Sequence, residues 1–378
     1  MLVMHSVLIA LPFIVAALSS RVLIPLILLI AYKKRLFDPI DSRKLHKRIV
    51  PRLGGFAFAP IQICVLVITL VMAIKVFDMD LEVESWALLP SFSMLLCGLV
   101  TLFIVGLGDD LVGISYVWKF LVQVVVACFF PFSDLWINDL YGLASITSLP
   151  PWVGMPLTVF AVVLIINAVN LIDGLDGLCS GAVGMGCLVL GGLFVYHGAW
   201  LHALFAFITL GTLTPFFYYN VFGIRQRRRQ IFMGDTGSMT LGYSIAFLAI
   251  SFSMNNDYIK PFSEGAIVVA FSTLIVPVFD VVRVMLVRWR IGAPVFKPDR
   301  NHLHHKFLRA GMTHRTAMVT FLLLVLFFCF LNMYLATRVD ASIVLVADVL
   351  LWVGFQWLFN KLEKRKIIAQ MQLFINML

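Results

Sequence analysis

Between Asn167 and Asp176 four oxygen-bearing side chains, Asn167, Asn170, Asp173 and Asp176, recur at three-residue intervals, with Gly174 and Gly177 interleaved. On a helix this spacing sets neighbours along one face, and the glycines let the backbone turn or a ligand come close. Oxygen-only donors suit a hard cation such as Mg²⁺, which keeps several waters and bridges substrate phosphates. A helix cap would use one or two of these groups and leave the others unexplained.

Three further clusters carry complementary chemistry. Gly108-Asp109-Asp110 is followed nine residues on by Lys119. Adjacent carboxylates repel, so at least one gains from a cation, a metal or a proton; a solvated interfacial turn is the competing reading. Phe232-Met233-Gly234-Asp235-Thr236-Gly237-Ser238 follows Arg225, Arg227, Arg228 and Arg229. Asp235 could there be a plain helix N-cap, and the arginines a topology signal or a contact with anionic lipid. Pro298-Asp299-Arg300-Asn301-His302-Leu303-His304-His305 gathers one guanidinium and three imidazoles, an anion site in which Arg is bidentate and His charged or donating. Zinc is the other reading of these histidines, with no cysteine to support it. Carboxylates and amides for Mg²⁺ beside cations for phosphates describe phosphoryl transfer, where catalysis is mainly positioning and charge neutralisation.

The elements that must position these groups are membrane helices. The 378 residues are 61% hydrophobic and 13% charged, with a mean hydropathy of +0.98, whereas a soluble domain has about 25% charged residues. At roughly 20 apolar residues per span, eleven runs can be placed: 3–31, 56–76, 86–106, 116–132, 152–168, 178–197, 200–219, 238–253, 264–289, 315–336 and 341–360. The expectation is one all-α polytopic domain over 1–378 with about 10–11 transmembrane helices. Of 29 Lys and Arg, all but Arg21, Lys75, Lys260 and Arg338 fall in the loops after odd-numbered spans. The positive-inside rule then puts those loops and the C-terminus in the cytoplasm and the N-terminus outside. All four chemical clusters fall on that cytoplasmic side. The formal charge of +9 is thus chiefly a topology signal, and no nucleic-acid partner is expected. The six cysteines lie in or at the ends of apolar runs without a Cys-x-x-Cys pair and read as small core residues.

Taken in order, Asp38-Pro39, His46, Pro51-Arg52-Leu53-Gly54-Gly55, Asp109-Asp110 with Lys119, Asn167 to Asp176, Met233 to Ser238 and Pro298 to His305 resemble the polyprenyl-phosphate N-acetylhexosamine-1-phosphate transferases. The match runs over about 33–311. The His302-x-His304-His305 pattern is similar to the WecA/TagO branch, whereas MraY-type translocases, the runner-up, carry three consecutive histidines. The resemblance implies transfer of a sugar 1-phosphate, on balance N-acetylglucosamine 1-phosphate, from a UDP-N-acetylhexosamine to undecaprenyl phosphate. UMP is released and a lipid-linked cell-envelope glycan begun, in the bacterial inner membrane with the active site on the cytoplasmic face. By this resemblance Asp235 and Asn170 ligate Mg²⁺ (or Mn²⁺), with Asp110 near the same ion. Asp109 orients or deprotonates the lipid phosphate, and Lys119 pairs with a phosphate. Asn167, Asp173 and Asp176 are expected on the donor, the two aspartates on its uridine side, and Phe232 stacks on uracil. Arg300, His302, His304 and His305 clamp the diphosphate or the N-acetyl sugar, while Lys47 and Arg48 guide the lipid phosphate. Membrane lipids and a second copy of the chain are further expected partners.

Other classes fit less well. A transporter would keep ionisable groups at mid-bilayer, where the candidates are few (Arg21, Asp348). Gly106-Leu107-Gly108-Asp109 spells the motif of an intramembrane aspartyl protease, but the chain has no Tyr-Asp pair. A CDP-alcohol phosphatidyltransferase would need a repeated Asp-rich signature that is absent.

Overall fold

The computed structural model describes residues 2–36, 50–76, 84–224, 229–293 and 301–375. Lys47, Arg48 and Arg300, with Asp38, Pro39, His46 and the arginines 225, 227 and 228, lie outside the described residues. Among those described there are thirteen α-helices and no strand: α1 (Leu2–Lys34), α2 (Phe58–Lys75), α3 (Glu84–Val112), α4 (Tyr116–Phe132), α5 (Pro151–Ile172), α6 (Leu178–Tyr196), α7 (Trp200–Val221), α8 (Gly234–Ser253), α9 (Ala266–Ser272), α10 (Ile275–Arg290), α11 (Leu303–Arg309), α12 (His314–Leu335) and α13 (Ala341–Ile375). The protein is an all-α polytopic membrane protein. Eight helices are long and apolar enough to cross a bilayer, or nine if α9 and α10 count as one broken span.

The expected spans all became helix, but three of them depart from a simple crossing. The run 264–289 is not one helix: α9 and α10 meet at 78°. The Ser272 and Thr273 hydroxyls turn back onto the carbonyls of Val269 and Ala270, and Pro277 has no N–H to continue the ladder across the break. α4 is only 17 residues long. α8 is too polar for a lipid-facing span, and its surroundings explain why that is tolerated. Every residue from Thr236 to Ser253 is buried, because α2, α3, α5, α6, α7 and α9 pack around it. Thr240 and Ser244 bond the carbonyls one turn back, and Gln62 of α2 ties Ser244 to Thr209 of α7 at 3.0 and 2.9 Å. A helix that touches only protein can carry hydroxyls where a lipid-facing one carries Leu and Ile.

α1 runs beyond its expected 3–31. Its 33 residues span about 50 Å at 1.5 Å per residue, more than the roughly 30 Å hydrocarbon layer, which gives Arg21 and the terminal Lys33 and Lys34 room to reach polar surroundings. Exposed Val67, Ile68 and Val71 on α2, and Ile343, Val346 and Leu350 on α13, form the apolar exterior. The C-terminal ends of α3 and α5 and the N-terminal ends of α4, α8 and α11 converge at one end of the bundle.

Candidate active site

The N-terminus of α8 is assembled from three parts of the chain. Residues 50–55 lie along residues 231–233: Phe232 N donates to Pro51 O (2.9 Å), Gly54 N to Phe232 O (2.9 Å) and Gly55 N to Met233 O (2.8 Å). The approach is so close that a Cβ on Gly55 would stand 2.1 Å from Gly237 N. Gly234 starts the helix with φ +78°, beside the Asp110 carboxylate, a conformation glycine adopts without strain. Asp110, at the end of α3, then caps α8 in trans. It accepts from Asp235 N (2.8 Å), Thr236 N (3.0 Å) and Thr236 Oγ1 (2.6 Å), which satisfies N–H groups that a helix start leaves orphaned and places a negative charge at the positive end of the dipole. The sequence reading placed Asp110 near the same ion as Asp235; in the structure it holds the backbone turn that carries Asp235.

Its neighbour Asp109 points elsewhere. Asp109 accepts from Ile114 N (2.7 Å) and from Lys119 Nζ (2.9 Å), and the same ammonium donates to Asp235 Oδ2 at 2.7 Å. One cation of α4 therefore joins carboxylates of α3 and α8. Lys119 and Asp235 line a cavity of about 360 Å³ together with Asn167, Asn170, Gln123 and Met239, and with Tyr116, Val117 and Phe120. Those last three are largely exposed apolar side chains, so the cavity has a charged floor and an apolar rim. Asn170 Nδ2 donates to Ser238 Oγ at 2.7 Å, leaving its carbonyl oxygen for a ligand. Asn167 Nδ2 donates to Gln123 Oε1 (2.6 Å) and Val163 O (2.8 Å).

The three-residue series does not stay on one helix face. α5 ends at Ile172, with Asp173 as its C-cap, so Asn167 and Asn170 are helical while Asp173 and Asp176 lie in the following turn. That turn is held by groups the sequence reading passed over. Gly177 N donates to Asn220 Oδ1 of α7, Asn220 Nδ2 to Ile231 O, and Gln230 Nε2 to Asp176 Oδ2 at 2.8 Å. Burial pushes the Asp173 carboxyl well above the usual range; the Arg52 guanidinium opposes this, and Asp235, Asp110 and Asp176 reinforce it. Arg52 also acts electrostatically on Asp235. It belongs to the Pro51 to Gly55 motif, yet was not singled out.

The histidines arrive on α11. The His302 and His304 rings are parallel (4°) with centroids 6.0 Å apart, and His305 follows at 4.2 Å from His304. His304 is buried, its Nδ1 has no hydrogen-bond partner, and its Nε2 abuts Gly174, where a Cβ would come within 2.7 Å. The histidine arm thus meets the turn of Asp173 and Asp176. Burial, with His305 and His302 beside it, lowers His304 to about 3. The arm's far side is tied to α13: Lys306 Nζ donates to Gln356 Oε1 (3.0 Å) and Asn360 Oδ1 (2.9 Å), and Arg309 pairs with Glu363. His302 and the start of α11 are anchored to Asp280 of α10. The signal for Asp280 was present, a carboxylate inside the apolar run 264–289.

Among the described residues, no three His, Cys, Asp or Glu side chains converge as a protein-only metal cage. The donor set that does converge fits Mg²⁺. Asp235 and the Asn170 carbonyl oxygen border one cavity with room for waters and phosphate oxygens, and Mg²⁺ is commonly held by one or two carboxylates plus substrate phosphates.

Residues 92–253, from α3 through α8, match the model of glycosyl transferase family 4. A probable undecaprenyl-phosphate N-acetylglucosaminyl 1-phosphate transferase of Bacillus subtilis (strain 168) is 28% identical over 366 residues, 96% of this chain and 92% of the relative. The undecaprenyl-phosphate alpha-N-acetylglucosaminyl 1-phosphate transferase of Yersinia pestis is 30% identical over 300 residues, 77% of this chain and 74% of its own. The Salmonella typhi protein of the same name is 31% identical over 299 residues with the same coverage. The family match covers the helices that build the cavity, and with a relative 30% identical over 77% of this chain's length, the chain belongs to glycosyl transferase family 4.

Proposed function

We propose that this chain transfers N-acetylglucosamine 1-phosphate from a UDP-sugar to undecaprenyl phosphate and releases UMP. The observation that carries the reading is the Lys119 bridge between Asp109 and Asp235 in a cavity with an apolar rim. An ammonium, two carboxylates and an amide oxygen are what a diphosphate and its counter-ion need, and Tyr116, Val117 and Phe120 are what an isoprenoid chain needs. The relatives' names supply the acceptor and the transferred group.

An oxygen of the lipid phosphate attacks the sugar-bearing phosphorus of the donor. The bond from that phosphorus to the bridging oxygen breaks, and UMP leaves with the electron pair. A phosphate monoester has a second pKa near 6, so the attacking oxygen is mostly ionised at neutral pH and needs no strong base. Asp109, held by Ile114 N and Lys119, therefore serves to aim the Lys119 ammonium at phosphate oxygens. Asp110 fixes the first turn of α8, so that Asp235 meets the cavity without reorganising. Bound Mg²⁺, held by Asp235 and Asn170, would supply charge neutralisation of the diphosphate. Asn167, Asp173, Asp176 and Phe232 take the nucleoside end, and His302, His304 and His305 the diphosphate or sugar.

The cation distribution supports a cytoplasmic position for the site end in a bacterial inner membrane. Association with a second copy is checked by the mass of the solubilised protein. The deciding experiment incubates the full chain in lipid nanodiscs with undecaprenyl phosphate, Mg²⁺ and separate UDP-sugars. UMP release with UDP-N-acetylglucosamine is expected. Turnover only with UDP-N-acetylmuramoyl-pentapeptide would replace the proposal by the MraY-type reaction, and no UMP from any donor would sink both.

A further inference from the structure

Asp280 lies about one-third of the way along α10 from the α9–α10 break and is fully buried. Burying a carboxylate is costly unless it is paired and hydrogen-bonded. Its partners account for that cost and also show what it does. Arg283, one turn on, donates to Asp280 Oδ1 at 2.7 Å and also reaches the carbonyl of Asn301. Leu303 N donates to both oxygens at 3.1 and 3.0 Å, and His302 Nδ1 stands 3.0 Å from Oδ2. One carboxylate thus neutralises a guanidinium of its own helix, caps α11, and grips the first ring of the histidine arm.

The contact with His302 has a chemical consequence. An ionised carboxylate only accepts, so the hydrogen at this contact resides on Nδ1. Nε2 is then the ring atom left for a ligand, the logic by which a second group fixes the tautomer of a functional histidine. The parallel His304 ring extends the fixed geometry to Gly174 and the Asp173 turn. We propose that Asp280 is the positioning residue of the histidine arm, holding His302 as the Nδ1–H imidazole and seating α11 so that His302 Nε2 accepts a hydrogen bond from a sugar hydroxyl or amide N–H of the nucleotide donor. This inference rests on the donor role given to the arm above.

The test combines spectroscopy on the intact chain with a double-mutant cycle. In nanodiscs with ¹⁵N-histidine, and with His302→Gln to assign the resonance, His302 should show a protonated Nδ1 and a bare Nε2. A protonated Nε2 with a bare Nδ1 in the unaltered chain overturns the proposal, and this readout does not depend on any Asp280 variant folding. In kinetics, Asp280→Asn offers an amide hydrogen where the carboxylate accepted. It should raise KM for UDP-N-acetylglucosamine about 10- to 100-fold, the usual cost of losing such a partner, with a smaller change in kcat and in KM for undecaprenyl phosphate. Added to His302→Gln, the same substitution should cost less than about twofold more, since coupled residues are not additive. Equal losses in both backgrounds would make Asp280 a structural residue only. A silent His302→Gln would remove the arm from donor binding and this proposal with it, even where UMP release upholds the transferase. If no donor yields UMP, the transferase reading falls, and the tautomer alone decides the pairing.

Discussion

At the end of the bundle remote from the cavity, Asp139 accepts from Tyr141 N at 2.7 Å and Asn255 Nδ2 at 3.0 Å, and Asn138 exchanges two hydrogen bonds with the Asn255 backbone. Lys260 there rests over the Phe252 ring, 5.1 Å from its centroid. At the site end, Asp109 and Asp235 instead share one ammonium beside an open cavity. The remote carboxylate is satisfied by neutral donors that staple the α4–α5 and α8–α9 connections. The site carboxylates share a cation, the Lys119 ammonium, that a phosphate can also engage. Acidic residues at helix ends are therefore not equivalent: what separates a site from a staple is whether the charge is settled by fixed amides or shared with a group that a substrate can compete for.

Substitutions can break this comparison, beginning with the most severe. Asp235→Asn should lower kcat by at least about 100-fold with an unchanged melting temperature; retained Mg²⁺-dependent UMP release would refute its ligand role. Lys119→Met should cost about 100-fold, because it removes the bridging cation and leaves two carboxylates facing each other. Activity within twofold of normal would place the phosphates elsewhere. Asp110→Ala removes the cap of α8. It should destabilise the protein by about 1–2 kcal/mol and lower activity about tenfold, and a thermal melt as sharp and high as the parent's would contradict the capping assignment.

His304→Gln should raise the donor KM about tenfold, the equivalent of about 1.4 kcal/mol for one lost contact. Because burial holds His304 near 3, the ring is neutral at both pH 6 and pH 8 and the penalty should be the same at each. A penalty that disappears between them would mark a charged clamp. The smallest effect is expected at the far end. Asp139→Asn should leave turnover unchanged, and any kinetic effect above twofold would mean that the two ends communicate.

The helices were legible because apolar runs bounded by polar turns identify spans whatever surrounds them. The break at Thr273 was not, since Pro277 sits where a helix start also tolerates it. Within the site, residue types were legible and duties were not. Asp109 and Asp110 are identical neighbours in sequence, but successive helical side chains point about 100° apart. Only the packing of α3 on α8 decides that one meets Lys119 and the other caps a helix. The Asn167 to Asp176 series suggested one helical face, and the turn after Ile172 bends its second half toward α11. Asn220, Gln230 and Asp280 escaped notice because each works through a partner more than 20 residues away. Arg52 sat inside a recognised motif, where its glycines drew the attention.

The seating of α11 on α13 has a consequence for biosynthesis. Lys306 and Arg309 find their partners at Gln356, Asn360 and Glu363, some fifty residues later in the chain. Translation runs from the N-terminus, so α8 and its carboxylates are made and inserted long before these anchors exist. Completion of the last helix is the event that secures the far side of α11.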